Sequence, residues 1–442
     1  MAINSNPGVF QAGDIDIEKI AISVGDNQSV DIRSFIGELN LFEDMYATGL
    51  YGNLLIVDAL NLSQVLELRG DEYIILKFTT PKLNSVIHKA FKIYSITDKQ
   101  FISDTGKQTY IIHFCSPELF IDSLTPIYKT YKKAKVHKIA QEVFEKNLAI
   151  SRTGAADYTQ LVVIGETINE IQFTSPGWRP GKILNWLAGK AQCKDTQSPN
   201  YMFFESNKAF YFANLEVLIK ASNDKKTYYQ DYFVTASKIS SAEDTEQFTD
   251  NIDRQYKQVI NMRVIETYNG LKNTQTGYLA NRMFAFDVVN KKNEVFDYDH
   301  VASWKQYTHL GPRAPFPDTV LKSPAGFNQI QMQHESLYTN VKNNVGEQAP
   351  EIKTRRTSML AELNNLKIEI TVPGRTDAEV GSIVYLHYPD ASPKDSSDKN
   401  MTKDDDLYSG KYLITAIRHQ ITLISHIMVL ELVKDSLQGN TA

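Results

Sequence analysis

The segment LKIEITV, residues 366–372, alternates apolar and polar side chains without a break. Successive side chains of a β-strand point to opposite faces, so this pattern predicts a strand with one buried face. Further apolar runs follow at residues 383–388, 412–421 and 427–433, and polar or turn-forming residues separate them. The sequence therefore predicts that this part of the chain forms a β-sheet.

The N-terminal part of the chain shows the same kind of pattern. Runs rich in Ile, Tyr, Phe and Leu are bounded by Gly, Asp, Asn or Pro, as is typical of strands and turns. These runs span residues 37–44, 51–58, 72–78, 91–97 and 109–115. A short helix is predicted over residues 60–68, because Gly70 then occupies a position that often ends a helix.

Between the two strand-rich regions the apolar spacing changes to that of helices. Over residues 135–148 the apolar side chains fall on one helical face: Val136, Ile139, Ala140, Val143 and Phe144. Pro180 begins a second predicted helix, and short strands are predicted at residues 201–205 and 210–215. The middle of the chain is therefore predicted to be α+β.

The two strand-rich regions have their parts in the same order. Each has a glycine, a strand, a proline, a polar spacer and two further strands, starting at Gly70 and at Gly381. Two unrelated antiparallel sheets could share this order, since the match is one of pattern. We predict a duplication within a mainly β, α+β chain, in which two similar β-barrel-like domains flank the α+β middle region.

Domain boundaries are predicted where the pattern changes. The predicted parts are residues 1–116 as the first β domain, 117–258 as the α+β middle domain, 259–298 with 366–434 as a discontinuous second β domain, 299–365 as a Pro-rich and helical insertion, and 435–442 as a C-terminal tail.

The composition excludes several classes of protein. The chain has 442 residues and a net charge of −5, so it lacks the overall positive charge of proteins that bind nucleic acid through phosphates. Cys115 and Cys193 lie far apart and are predicted to be reduced thiols. The polar N-terminus lacks the apolar core of a signal peptide, and no apolar run approaches the ~20 residues of a membrane span. We therefore expect no membrane insertion.

Motifs for enzyme chemistry are absent from the sequence. It has no nucleotide-binding glycine loop, no Gly-x-Ser-x-Gly elbow and no His-Glu-x-x-His. The adjacent carboxylates Glu43 and Asp44 would point to opposite faces of a strand, which does not suit acid–base catalysis. The Asp-rich segment 390–406 lacks the turn glycine and terminal Glu of a calcium loop, so a solvated loop is favoured over an ion site. No catalytic, cofactor-binding or metal-binding residue is predicted.

Five residues are predicted to contact a neighbouring subunit. Trp178 and Trp304 lie in predicted loops, and large aromatic side chains often anchor interfaces. Met45, Tyr46 and Tyr51 lie where the first two predicted strands meet.

Several stretches of the sequence resemble baseplate central hub proteins of T4-like contractile phages. The resemblance is spread over most of the chain. The stretches are residues 13–19 (GDIDIEK), 43–46 (EDMY), 91–98 (FKIYSITD), 178–180 (WRP), 409–415 (SGKYLIT) and 430–436 (LELVKDS).

The resemblance implies a structural protein of the virion tail baseplate, assembled in the host cytoplasm, with no enzymatic activity and no cofactor. It implies a homotrimer in which each subunit contributes two tube domains, so that three chains form a pseudo-six-fold ring. The ring would join the hexameric tail tube to the trimeric spike. The implied partners are the spike protein, the tail tube or tube-initiator protein and the tape measure protein, and DNA passes through the lumen without specific binding.

The charge of the lumen follows from this picture. Duplex DNA carries about one negative charge per ~1.7 Å of axis, so a basic wall would retain it. We expect few unpaired Lys or Arg side chains on the inner surface of the ring. Two alternatives remain: the hub of a related contractile injection system and, less favoured, a cell-wall polysaccharide hydrolase, which would need two carboxylates in a cleft.

Overall fold

The computed structural model describes residues 11–24, 28–70, 72–81, 83, 85–102, 106–149, 160–225, 229–234, 248–287, 291–317, 319–333, 345–390 and 404–438. Most of the Asp-rich segment 390–406 lies outside these residues.

The chain is built mainly from strands. They are β1 (Asp16–Val24), β2 (Gln28–Asp31), β3 (Ile36–Asp44), β4 (Tyr51–Asp58), β5 (Tyr73–Thr79), β6 (Val86–Ile102), β7 (Lys107–Cys115), β8 (Ile127–Lys135), β9 (Leu161–Ile164), β10 (Glu170–Trp178), β11 (Tyr201–Glu205), β12 (Phe210–Asn214), β13 (Asp231–Phe233), β14 (Asn261–Glu266), β15 (Ala280–Asp287), β16 (Lys292–Asp299), β17 (Asn328–Gln333), β18 (Leu366–Pro373), β19 (Ile383–His387), β20 (Gly410–Ile421) and β21 (His426–Lys434).

Helices are fewer and mostly short. They are α1 (Leu62–Val65), α2 (Pro117–Leu124), α3 (Val136–Asn147), α4 (Pro180–Ala188), α5 (Leu215–Lys225), α6 (Phe248–Tyr256), α7 (Gly270–Gln275), α8 (His300–Ser303) and α9 (Val345–Glu362). The predicted fold class, α+β and mainly β, is confirmed. None of the helices in the described ranges is both long and apolar enough to cross a membrane.

One sheet of 13 strands dominates the structure. Its order is β14-β18-β21-β20-β3-β4-β7-β6-β5-β1-β2, and β19 pairs with both β20 and β13. The alternation that predicted β18 has the expected cause, because its apolar side chains are buried and the polar ones between them are partly exposed. The described strands form an open sheet, and neither half closes into the predicted barrel, because β3 pairs with β20 of the other half.

The two halves of this sheet have the same topology. The first half has the spatial order β5-β6-β7-β4-β3, and the second half has the order β19-β20-β21-β18-β14. Every neighbouring pair in both series is antiparallel. Each strand therefore has a counterpart: β3 with β14, β4 with β18, β5 with β19, β6 with β20 and β7 with β21. The duplicated order of parts is present in the folded chain.

A one-residue bulge fixes the alignment of the two halves. The β6–β7 register shifts between Ile93 and Ser95, and the β20–β21 register shifts between Ile414 and Ala416. Aligning the two bulges superimposes buried apolar side chains of the two cores. The pairs are Leu54 with Ile370, Ile56 with Val372, Ile74 with Val384, Leu76 with Leu386, Phe91 with Tyr412, Ile112 with Leu430 and Phe114 with Leu432.

The middle of the chain packs against the second half of the sheet. Strands β11, β12 and β9 form a small sheet, and β8 pairs with β10 in a two-stranded ribbon. Helix α3 buries the apolar face that its sequence predicted and packs with α4 over these strands. On the other side of the small sheet, Met202, Phe204 and Ile219 join the core of the second half.

Two assignments differ from the prediction. β15 and β16, which were assigned to the second β domain, pair with each other and with β17 in a separate three-stranded sheet. The segment 299–365, predicted as a Pro-rich and helical insertion, contains helix α9 but also strand β17, which was not predicted. The sequence of β17, NQIQMQ, alternates glutamine with Ile330 and Met332, a strand pattern that the prediction overlooked, and β17 pairs in parallel with β15.

Candidate functional site

The large sheet has one buried face and one open face. Side chains on the buried face form two apolar cores, one in each half. The strand registers place the following side chains on the opposite, open face: Lys19, Glu38, Asn40, Asn53, Leu55, Tyr73, Lys77, Thr97, His113, Arg263, Lys367, Glu369, Arg418, Gln420 and Glu431. This open face extends across both halves of the sheet and is mixed in charge.

Several charges of the open face are neutralised by neighbours. Arg418 donates to Asn40 at 2.8 Å and to Glu38 at 3.3 Å, across the boundary between the halves. Glu38 also accepts a hydrogen bond from Asn40, and together with Arg418 this lowers the pKa of its carboxyl. Lys367 donates to Glu431 at 3.0 Å. At these positions, each positive charge of the open face has an acidic neighbour.

The two halves meet at a seam formed by β3 and β20. Residues 416–421 pair antiparallel with residues 39–44, from Ala416 opposite Asp44 to Ile421 opposite Leu39. Leu39 and Ile421 are at most 1% exposed, so the seam is sealed by packed apolar side chains as well as by strand hydrogen bonds. A single continuous sheet therefore extends through both halves.

A buried polar chain lies within the seam. His419 Nε2 is 3.1 Å from Glu43 Oε1, and His419 Nδ1 is 3.0 Å from His426 Nε2. Glu43 also accepts hydrogen bonds from the backbone N–H groups of Asn207 at 3.2 Å and Val380 at 3.4 Å. One carboxylate thus ties together the first half of the sheet, the second half and the middle region.

Stability is expected to fall in mild acid because of His426. Burial, with the neighbouring His419, lowers the pKa of His426 well below its ordinary value of 6.5. Below pH 6.5 the unfolded chain takes up a proton that folded His426 does not, so folding stability falls by about 1.4 kcal/mol per pH unit. Urea unfolding between about pH 5 and about pH 7 measures this slope.

The control for this prediction is His88, which is exposed on β6. The variant His426→Gln should show a flatter stability profile below pH 6.5, whereas His88→Gln should retain the wild-type slope. Equal slopes for the wild type and His426→Gln would contradict the prediction.

A buried ion pair joins the first half of the sheet to the middle region. Lys89 Nζ lies 3.0 Å from Glu205 Oε1, and both side chains are at most 3% exposed. The other oxygen of Glu205 accepts the backbone N–H of Leu50 at 3.0 Å and the hydroxyl of Ser116 at 2.5 Å. Lys89 also donates to the carbonyl of Ser206 at 2.8 Å. Both members of the pair therefore make further hydrogen bonds inside the protein, as buried charges require.

A third buried cluster surrounds His309. Its Nδ1 lies 3.1 Å from Asp435, and its Nε2 lies 2.9 Å from the carbonyl of Trp304. Burial alone would lower the pKa of His309, but the hydrogen bond to Asp435 and the nearby charges of Asp435 and Glu362 raise it to about 9. At neutral pH both ring nitrogens therefore donate, and His309 is a cation between two carboxylates.

The same cluster brings together three side chains of the types that bind metals. One ligand atom each of His309, Glu362 and Asp435 lie within 4.8 Å of one another. A metal ligand must be a neutral imidazole, whereas His309 is held protonated. Glu362 is also occupied, since it accepts hydrogen bonds from Trp304 at 2.8 Å and pairs with His300 at 3.1 Å. The cluster is better described as an internal ion network.

The five predicted contact residues divide into two groups. Met45 and Trp304 are buried in the chain's own core, and Trp304 donates to Glu362 there, so the prediction is corrected for these two residues. Tyr46 and Tyr51 are 50% and 40% exposed and remain available to a partner. Trp178 is partly exposed and packs edge-on against Trp186. These three residues stay proposed contacts.

Sequence reasoning missed the buried polar residues. His419 and Glu43 are 376 residues apart, and Lys89 and Glu205 are 116 apart, so no local spacing marks them. A charged residue at a position expected to be buried, such as Lys89 in an alternating strand, was the one available signal.

The chain is similar in sequence to a phage baseplate protein. The chain is 20% identical over 426 residues to the probable baseplate hub protein gp334 of Vibrio phage KVP40, and the match covers 92% of each chain. No family model matches the sequence.

Two solved structures share the fold over nearly the whole chain. The tail protein from Neisseria meningitidis MC58 has a TM-score of 0.53 at 10% identity and covers 94% of this chain and 96% of its own. The 43 kDa tail protein of prophage MuSo2 from Shewanella oneidensis has a TM-score of 0.50 at 8% identity and covers 95% and 98%. The resemblance to phage baseplate hub proteins is thereby confirmed, and it extends along almost the whole length of the chain.

Proposed function

We propose that this chain is a structural subunit of a contractile tail baseplate, in which three copies close into a ring of six sheet halves. The observation that carries the proposal is the duplicated five-strand topology, joined edge to edge by the β3–β20 seam. Two similar units joined side by side in each chain would give six units in a ring of three chains. Closed rotational symmetry allows the same kind of contact to repeat without leaving open sheet edges.

In this proposal the ring connects parts of different symmetry. Its pseudo-six-fold arrangement would match a hexameric tail tube or tube-initiator protein, and its true threefold symmetry would match a trimeric spike. The tape measure protein would occupy the lumen before DNA passes through it. The two sheet halves, β3 to β7 and β14 with β18 to β21, would form the tube, and the middle region would lie against it.

The proposed role is structural and not enzymatic. The relative in a Vibrio phage is named as a baseplate hub protein, and the two solved structures are named as tail proteins. The buried carboxylates Glu43, Glu205 and Glu362 are each occupied by hydrogen bonds inside the protein. A hydrolase would instead present two carboxylates to substrate in a cleft.

Native mass measurement of the purified chain tests the proposed assembly. The expected species is a trimer, and addition of the spike protein is expected to give a complex of three chains of each. A monomer at all concentrations, with and without the spike, would overturn the proposed ring. Release of sugar fragments from peptidoglycan by the purified chain would overturn the structural role.

The open face is proposed to line the DNA channel. Arg418 at the seam and Lys367 on β18 are paired with acidic neighbours, so this face should not retain DNA. Binding of linear duplex DNA by the assembled wild-type protein is expected to be weak, at or above the ~10⁻⁴ M limit of ordinary non-specific binding at physiological salt. Titration of labelled duplex, followed by fluorescence anisotropy at several salt concentrations, measures this affinity.

Matched charge variants sharpen the test of the DNA channel. Glu369→Lys with Thr371→Lys adds positive charge to the open face on β18, and Glu294→Lys with Asn293→Lys adds the same charge on β16 of the separate sheet. Only the first variant should bind duplex DNA tightly and with a steep salt dependence. Tight, salt-sensitive binding by the wild type, or equal binding by the two variants, would contradict the assignment.

A further inference from the structure

Among the described residues, part of β6 and one whole edge of β14 have no partner strand, and the terminal strand β2 likewise pairs on one side only. β6 is 17 residues long, but β5 pairs only with residues 86–92 of it. Residues 95–102 continue beyond β5, and within the described ranges no strand other than β7 pairs with them. β14 ends the sheet and pairs with β18 on one side only. Such open edges readily accept another strand.

The internal duplication identifies the strand that suits the open edges of β6 and β14. β20 is the counterpart of β6, and it pairs with β19 through residues 410–413 and with β3 through residues 416–421. The counterpart of β3 is β14. Within the chain, β20 pairs with β3 to form the seam. Their counterparts β6 and β14 do not pair with each other, so a contact between β6 and β14 would be the counterpart of the seam.

Burial of equivalent side chains supports the same conclusion. In the seam, Leu41 of β3 and Ile421 of β20 are 0% and 1% exposed. Their counterparts Val264 and Phe101 are also apolar, but they are 38% and 66% exposed. Apolar residues at positions that are sealed in one junction and open in the other indicate a surface that is covered in an assembly.

We propose that β14 of one subunit pairs antiparallel with residues 95–102 of β6 in the next subunit. Transfer of the seam register places Gln100 opposite Arg263, because their counterparts Gln420 and Asn40 are opposite each other. The inference rests on the proposed ring and specifies the strands that close it. β5 and the incoming β14 would then lie end to end along β6, as β19 and β3 lie along β20.

The second junction differs from the seam at one point. The β6–β7 register shifts again between Thr97 and Gln100, and Asp98 has a φ of 53°, whereas β20 continues without a second shift. A bulge strengthens the local twist of a strand. The six junctions of the ring would therefore alternate between two shapes, consistent with threefold rather than sixfold symmetry.

Disulfide cross-linking of the full-length protein tests the pairing. Cα atoms of directly opposite residues in antiparallel strands lie about 4.5–5.5 Å apart, within the range that a disulfide spans. The variant Gln100→Cys with Arg263→Cys should form a covalent trimer under mild oxidation and revert on reduction. The control, Gln100→Cys with Asn293→Cys, moves one thiol to exposed β16 and should not cross-link. The native Cys115 and Cys193 are buried and should contribute no background.

The outcomes separate this inference from the proposed ring. A native trimer that fails to cross-link through Gln100→Cys with Arg263→Cys would overturn the strand pairing and leave the ring standing. A protein that is monomeric throughout would overturn both. As a second arm, Val264→Asp changes an exposed side chain, so the chain should fold normally and lose the trimer. Retention of the wild-type trimer by Val264→Asp would also count against the pairing.

Discussion

Replacing Glu205 with alanine is expected to lower the free energy of unfolding by about 3–5 kcal/mol. The substitution leaves Lys89 buried without its carboxylate, and burial alone already lowers the pKa of that ammonium group. It also removes the acceptor for the N–H of Leu50 and the hydroxyl of Ser116. Because these groups come from the first half of the sheet and Glu205 from β11, the loss should loosen the junction between them.

Chemical unfolding, followed by tryptophan fluorescence, measures the effect. Glu142→Ala is the matched control, because Glu142 pairs with Lys129 and Lys146 in partly exposed positions. An exposed pair contributes about 0–1 kcal/mol, so the control should unfold almost like the wild type. Similar losses for Glu205→Ala and Glu142→Ala would show that the buried pair has no special role.

The protein is also expected to lose stability between pH 6.5 and about pH 9 through deprotonation of His309. The pKa of this side chain is raised to about 9 in the folded state, so the folded chain holds a proton that the unfolded chain releases above 6.5. The contribution is fully present below pH 6.5 and is lost as pH rises to about 9. At about 1.4 kcal/mol per pH unit, the loss reaches roughly 3 kcal/mol.

The variant His309→Gln isolates this contribution. It should be less stable than the wild type at about pH 6, and the difference should shrink as pH rises toward 9. His88→Gln serves again as the exposed control and should follow the wild type throughout. A wild-type profile that stays parallel to that of His309→Gln over this range would refute the assignment of a charged His309.

The two junctions of the proposed ring share a topology and differ in chemistry. The seam contains the buried Glu43–His419–His426 chain, and at the open face it carries Arg418 on the β20 side. In the proposed contact between subunits, the cation is Arg263, which lies on the β14 side. Because the cation lies on β20 in the seam and on β14 in the proposed contact, this difference would favour pairing of β14 with β6 of a neighbouring subunit. Pairing of β14 with β20, which β3 already occupies, would be disfavoured.

The sequence alone was sufficient for those parts whose burial repeats with a short period. The alternation in β18 and the helical stripe of α3 both predicted the observed elements, because each residue's environment there depends on neighbours a few positions away. The repeated order of such elements, starting at Gly70 and at Gly381, predicted the duplication, and similarity spread over most of the chain indicated the relationship to baseplate hub proteins.

Only the tertiary structure decided how the duplicated parts combine. The seam pairs residues 39–44 with residues 416–421, and the polar clusters around Glu43, Glu205 and His309 join positions that are far apart in sequence. The same holds for the partner of β17: the alternation of its residues is typical of a strand, but only the tertiary structure shows that it pairs with β15. Strand partners and buried charge partners are chosen by three-dimensional proximity, which no local pattern in a single sequence encodes.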